Sequence, residues 1–382
     1  MAEKRRTIFE EVGTSEKAVA APGGIDRGRR DSRGAIRIWL VMLFVLVAAM
    51  VLIGGLTRLT DSGLSITEWN PVSGAMPPTT QADWQAEFDL YRASPQYEIL
   101  NQGMELGEFK SIYWWEWGHR QLGRLVGLVW AVGFFFFLFT KRIPAGWTGR
   151  LLILGVLGGL QGAIGWWMVA SGLEAGMHSV ASYRLATHLG LAFAILGTIY
   201  WYWLRLRRRE TDLLQARRLG ERPLFGMMTG LLHLTFVQIL IGALVAGIDA
   251  GRAFPHWPTM DGRSFFPPDP FGITPLWRNF FEDAGLVQFI HRIVAYLILA
   301  FAIGIFMRGR KSAHPHTRRA IYAALAMVLV QAVIGIVTAI YSAPLPLASL
   351  HQIGAVAAFC LILRGRFYAR YPAVTSIRGT RA

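Results

Sequence analysis

The sequence predicts an all-α integral membrane protein whose eight transmembrane helices form two pseudo-symmetric four-helix bundles. Hydrophobic residues make up 53% of the 382 residues and charged ones only 16%. With a mean hydropathy of +0.37, most of this chain must be solvated by something other than water. Its apolar residues run on unbroken, unlike the short alternating segments of an outer-membrane barrel. The pattern of four helices then recurs. A disulfide scaffold is excluded, because Cys360 is the single cysteine.

Taken in order, residues 1–37, with EKRR, APGG and RGRRDSRG, read as a flexible cytoplasmic tail. No short apolar core with a small-residue cleavage site precedes the first span, so no cleaved signal peptide is expected. A hydrocarbon core about 30 Å thick takes roughly 20 apolar helical residues to cross, since every backbone N–H and C=O must be satisfied inside the segment. Eight stretches qualify, at 38–56, 114–139, 151–171, 185–203, 225–248, 286–307, 320–341 and 347–363. They divide the chain into an N-terminal bundle (38–204), a cytoplasmic linker (205–224), a C-terminal bundle (225–364) and a cytoplasmic tail (365–382). The first bundle carries a long outer loop, 58–113. Between Gln81 and Lys110 that loop sets Trp84, Phe88, Tyr91 and Tyr97 among charges, which predicts one or two ordered amphipathic helices near the membrane surface.

The net charge of +15 is topological. Of 39 Lys and Arg, residues 1–37 hold nine, 141–150 three, 205–222 seven, 308–319 five, and the segment after Leu363 five. These segments all fall on one side of the membrane. By the positive-inside bias that side is the cytoplasm, and both termini lie there. The charge therefore faces the lipid bilayer, and no nucleic-acid partner is expected.

Comparing the halves exposes the repeat. Trp117-Gly-His119-Arg120 matches Phe289-Ile-His291-Arg292, and Ala186-Thr-His188 matches Ser349-Leu-His351. Gln161-x-x-Ile-Gly165 is answered by Gln331-x-x-Ile-Gly335, and Gln238-x-x-Ile-Gly242 by Met50-x-x-Ile-Gly54. An even number of helices separates each pair, so the copies share one orientation and a pseudo-twofold axis along the membrane normal is expected. The Gln and Gly positions read as helix packing.

His119, His188, His291 and His351 stand near the outward ends of the even-numbered helices, two per bundle. Each ionisable side chain inside a span needs a partner. One such histidine is ordinarily a packed imidazole; four at repeated positions suit a planar iron macrocycle, held between axial imidazoles with its faces against apolar walls. Zinc would need further N, S or O ligands, and the C-terminal half supplies no Cys or carboxylate beside its pair. Arg120, Arg124 and Arg292 either meet the propionates of such a ring or snorkel to headgroups. One difference separates the halves. Glu116 precedes His119 by three residues, on the same helical face, whereas Gln288 fills the matching place before His291. That carboxylate is a candidate acid/base group, which suggests an electron-transfer haem in the C-terminal bundle and a chemically altered one in the N-terminal bundle.

These residues carry a family resemblance. Gly54-Gly-Leu-Thr-Arg-Leu-Thr-Asp-Ser-Gly-Leu-Ser65, Trp69-Asn-Pro-Val-Ser-Gly74, Glu116-x-x-His119-Arg120, Gly247-Ile-Asp-Ala-Gly251 and Trp257-Pro-Thr-Met-Asp-Gly262 resemble heme A synthase over nearly all of residues 38–363. The resemblance implies an eight-helix membrane enzyme that oxidises a methyl of haem O to the formyl group of haem A. Carried over by position, His291 and His351 would ligate a haem b cofactor, His119 and His188 would flank the substrate haem iron, and Glu116 would be the essential carboxylate. Implied partners are haem O, haem A, an electron-transfer partner, haem O synthase and cytochrome oxidase assembly factors. Some members carry an outer-loop cysteine pair; this chain lacks it and resembles the cysteine-free branch, which leaves no thiol mechanism. The N-terminal tail, without a transit-peptide composition, points to a bacterial inner membrane. The competing function is a two-haem cytochrome b that only transfers electrons, which gives Glu116 and the long loop no task. The haem O-forming prenyl transferase would need Asp-rich magnesium motifs, and none is present.

Overall fold

A computed structural model describes residues 32–373, so most of the expected N-terminal tail and the last nine residues lie outside the described residues. Eight long helices are apolar enough to cross a bilayer: α1 (Arg33–Leu59), α2 (Leu106–Phe139), α3 (Thr148–Gly172), α4 (Ser182–Leu206), α5 (Arg222–Gly247), α6 (Ala284–Gly309), α7 (Pro315–Ile340) and α8 (Leu345–Arg370). At about 1.5 Å per residue, even the 25-residue α3 and α4 exceed the hydrocarbon thickness. The described residues contain no strand.

Helix ends follow local chemistry. Proline opens α5, α7 and α8, where its missing N–H costs nothing. Arg58, Arg205, Arg308 and Arg370 sit in the last turns of α1, α4, α6 and α8, against the negative end of the helix dipole. Residues 33–37, expected in the tail, form the first turn of α1, and α8 runs seven residues past its expected end at Leu363.

Burial sorts the helices into two sets. In α1, α4, α5 and α8 a third or more of the apolar window is buried within the protein, against 17% or less in α2, α3, α6 and α7. The first set is central and the second faces lipid. On α1 the buried residues Ile36, Leu40, Leu43, Val47 and Val51 recur every three or four positions, a single stripe turned inward. Helix α4 meets α8 where a Cβ on Gly197 would lie 2.8 Å from the Phe359 ring, a close approach that a small residue permits.

The largest departure from expectation is α2, which starts eight residues early. Its first turns carry Phe109 and Tyr113, both buried against Trp84, Phe88 and Tyr91 of the loop helix Gln81–Arg92. A second short helix, Pro95–Leu100, follows, and its buried Gln96 donates to the carbonyl of Asp61 at 3.1 Å. Loop 58–113 is thus an ordered aromatic cap where α1 ends and α2 begins.

Candidate functional site

All four histidines occupy one kind of seat. The Cε1 edge of each imidazole faces a glycine on the preceding long helix, where an added Cβ would lie 2.9 Å from His119 at Gly54, 2.9 Å from His188 at Gly165, 3.1 Å from His291 at Gly242 and 3.0 Å from His351 at Gly335. Any larger residue would push the ring away. Four residues before three of these glycines a glutamine reaches the same histidine. Gln161 Nε2 donates to the His188 carbonyl at 3.0 Å, Gln238 to that of His291 at 2.9 Å, and Gln331 to that of His351 at 2.9 Å. The Gln-x-x-Ile-Gly recurrence packs helices as read from sequence, with Gln bonded across and Gly permitting close approach; the sequence reading missed that the partner each time is a histidine, which their matching register could have shown.

The His291 and His351 rings stand with centroids 6.5 Å apart, nearly perpendicular. Metal–imidazole bonds of about 2 Å on either side of one ion would space the ring centres by about 6 Å. The Nδ1 atoms of His119, His291 and His351 are buried without a hydrogen-bond partner, and such groups ask for an explanation. Donor type, spacing and glycine seats therefore fit a haem in the C-terminal half. Among the described residues no group of three or more His, Cys, Asp or Glu could hold a metal ion.

Glu116 is 3% exposed and its carboxylate is saturated. One oxygen accepts from Ser65 Oγ and from the Ile66 N–H, both at 2.8 Å. The other accepts from Arg120 Nη2 at 2.6 Å and Nε at 3.1 Å. Arg120 also donates to the carbonyls of Ile66 and Glu68, and Arg124 to those of Asn70 and Pro71. The C-terminal half builds the neutral version. Arg292 donates to Gln288 Oε1 at 3.0 Å and to the carbonyls of Phe254, His256 and Thr259. The arginines read from sequence as propionate or headgroup partners thus fasten the outer loops, while Arg124 Nη1 remains buried and unpaired. Sequence reasoning missed Ser65 and Ile66 as partners of Glu116, although the TDSGLS stretch containing Ser65 was singled out.

On the loop side of Arg120 and Arg124 lies a cavity of about 360 Å³, also lined by Glu68, Asp83, Glu87 and Tyr113. Burial, then the nearby Glu68 carboxylate, holds Glu87 above the ordinary carboxylate range. None of the four histidines lines this cavity. His178 and His256 contribute backbone carbonyls to Gln96 and Arg292, and His316 stacks on Tyr368; none of them joins a seat.

Residues 37–363 match the model of a family described as cytochrome oxidase assembly protein. The chain is similar to the heme A synthases of Ruegeria sp. (strain TM1040), at 63% identity, Ruegeria pomeroyi, at 64%, and Paracoccus denitrificans, at 62%. In each comparison the alignment covers 98% of this chain and 99% of the relative.

Proposed function

The chain belongs to the cytochrome oxidase assembly protein family, and from that membership we infer that it is a heme A synthase, oxidising a ring methyl of haem O to the formyl group of haem A. The observation that carries this reading is the pair of glycine-seated histidines in each half, with a buried carboxylate beside one pair only.

Residues 38–204 form the substrate half, residues 225–364 the cofactor half, and residues 205–224 the linker between them. His291 and His351 would hold haem b, which when bound supplies one-electron redox capacity. His119 and His188 flank the substrate haem. Arg124 turns its free Nη1 to a propionate, while Arg120 and Arg292 act by fastening the outer loops at each mouth. Oxidising a methyl leaves its carbon electron-poor, and the charge of Glu116, fixed by three partners, would stabilise that carbon. Because Ser65, Ile66 and Arg120 hold the carboxylate before substrate arrives, little reorganisation remains at the moment of reaction.

The basic loops support an orientation with both termini cytoplasmic, and the membrane proposed is a bacterial inner membrane. Haem O then arrives from haem O synthase, haem A leaves toward cytochrome oxidase assembly, and an electron-transfer partner drains the cofactor half. The test is Glu116→Gln, expressed alongside a haem O source, with haem extraction and chromatography. Gln keeps the shape of the side chain, as Gln288 does in the other half. The expected outcome is retained haem b with haem A formation abolished; normal haem A would overturn the role of Glu116.

A further inference from the structure

Three of the four histidine seats are braced and one is not. Gln161, Gln238 and Gln331 each donate Nε2 to the backbone carbonyl of the histidine they face, and each keeps a buried Oε1 without a partner. Such a glutamine tethers the helical turn that carries the ligand, and in two seats its amide nitrogen also lies at a ring nitrogen, 3.2 Å from His188 Nδ1 and 3.3 Å from His291 Nε2. Partners of this kind fix a ligand's orientation and raise its basicity. In α1 the position four residues before Gly54 is Met50. Its Cε lies beside α2 near Gly123, 3.6 Å from where a Cβ would stand. A thioether cannot donate to a carbonyl, so the turn that carries His119 gets no tether from this position, although its Nδ1 is unpartnered just as those of His291 and His351 are.

We propose that Met50 makes His119 the releasable ligand, so that the substrate haem enters and the product haem leaves on the His119 side while the three braced histidines stay fixed. This rests on the haem reading of the two halves given above. It accounts for an asymmetry that the reading leaves unexplained. A resident cofactor gains from two braced ligands, as His291 and His351 are. A substrate that must depart after every turnover gains from one firm ligand, His188, and one loose one. Losing a partner of this type typically costs about 10- to 100-fold in metal affinity, enough to separate an exchanging site from a retaining one.

The test uses full-length protein purified in detergent from cells that make haem O, mixed with excess apomyoglobin as haem acceptor. Haem left on the protein is extracted at intervals and separated by chromatography, so that loss of haem O and haem A is followed apart from loss of haem b. The parent protein is expected to lose haem O and haem A first. Met50→Gln should slow that loss by about 10- to 100-fold and leave haem b loss unchanged, while Met50→Leu, equally unable to brace, should keep the parent rate. Gln331→Met should speed haem b loss alone. Electron paramagnetic resonance of each variant reports whether bis-imidazole ligation persists. Unchanged loss of haem O and haem A in Met50→Gln, with ligation intact, overturns the proposal while the haem reading stands. Absence of haem O and haem A from the parent protein, or loss rates indifferent to both His119→Ala and His291→Ala, overturns the haem reading and the proposal with it.

Discussion

At the scale of single residues, Glu116 is defined by its partners. A carboxylate 3% exposed is tolerable inside a protein only when its desolvation is offset by charge and hydrogen bonds, and here Arg120, Ser65 and Ile66 supply both. Arg120 in turn spends two donors on the carbonyls of Ile66 and Glu68, so the pair is at once a candidate reactive group and the fastening of the outer loop. Arg120→Met leaves a buried charge with two neutral donors. It should cost about 3–5 kcal/mol, read as a lowered apparent melting temperature in detergent. Adding Glu116→Gln removes the stranded charge and should recover part of that loss. Equal stability of the single and double variants would show that Arg120 acts only through the loop carbonyls.

At the scale of helices, the seats depend on a glycine in one helix meeting a histidine in the next. Gly335→Val would put side-chain atoms where the His351 ring lies, since even a Cβ comes within 3.0 Å of it. Gly304, on α6, has nothing within 4 Å of its would-be Cβ and serves as control. Gly335→Val should lose the low-spin haem b spectrum, and Gly304→Val should keep it; equal spectra would remove the glycine from the seat. This contact shows how much the sequence made legible. The eight spans could be read because crossing lipid forces a long apolar run, and the histidines because charge inside such a run is costly. The glutamines and glycines were visible as a repeat, but their object lay on another helix, 16 to 65 positions away by the numbering of each pair. The bonds from Ser65 and Ile66 to Glu116 bridge 51 and 50 positions and belong to loop folding, which no periodicity encodes. The early start of α2 has a similar origin. Phe109 and Tyr113 do not extend an apolar run among Glu108, Lys110 and Ser111, but burial against the loop aromatics makes those turns helical.

At the scale of the molecule, the two halves are joined at three levels. On the outer side Arg58 of α1 bonds Asp249, just after α5, at 2.8 Å. About two turns deeper Gln352, next to His351, donates to the Val51 carbonyl of α1 at 2.6 Å and occupies a notch left by Gly55. On the basic side Arg208, after α4, donates to the carbonyl of Tyr371, after α8, at 2.9 Å. These ties, with α4 packed on both α5 and α8, make one body with its candidate chemistry toward one end. The distribution of Lys and Arg predicts which end faces outward, and the chain is well suited to test it. Its single cysteine, Cys360, is 9% exposed within α8, so an impermeant maleimide should find little background. Glu98→Cys and Arg263→Cys lie on exposed residues of the two outer loops, and Arg217→Cys on the linker helix between the halves. In spheroplasts the first two should label directly and the third only after lysis. The opposite pattern would invert the protein in its membrane, carrying Glu116 and all four histidine seats to the cytoplasmic face, and would require substrate and product haem to be exchanged there.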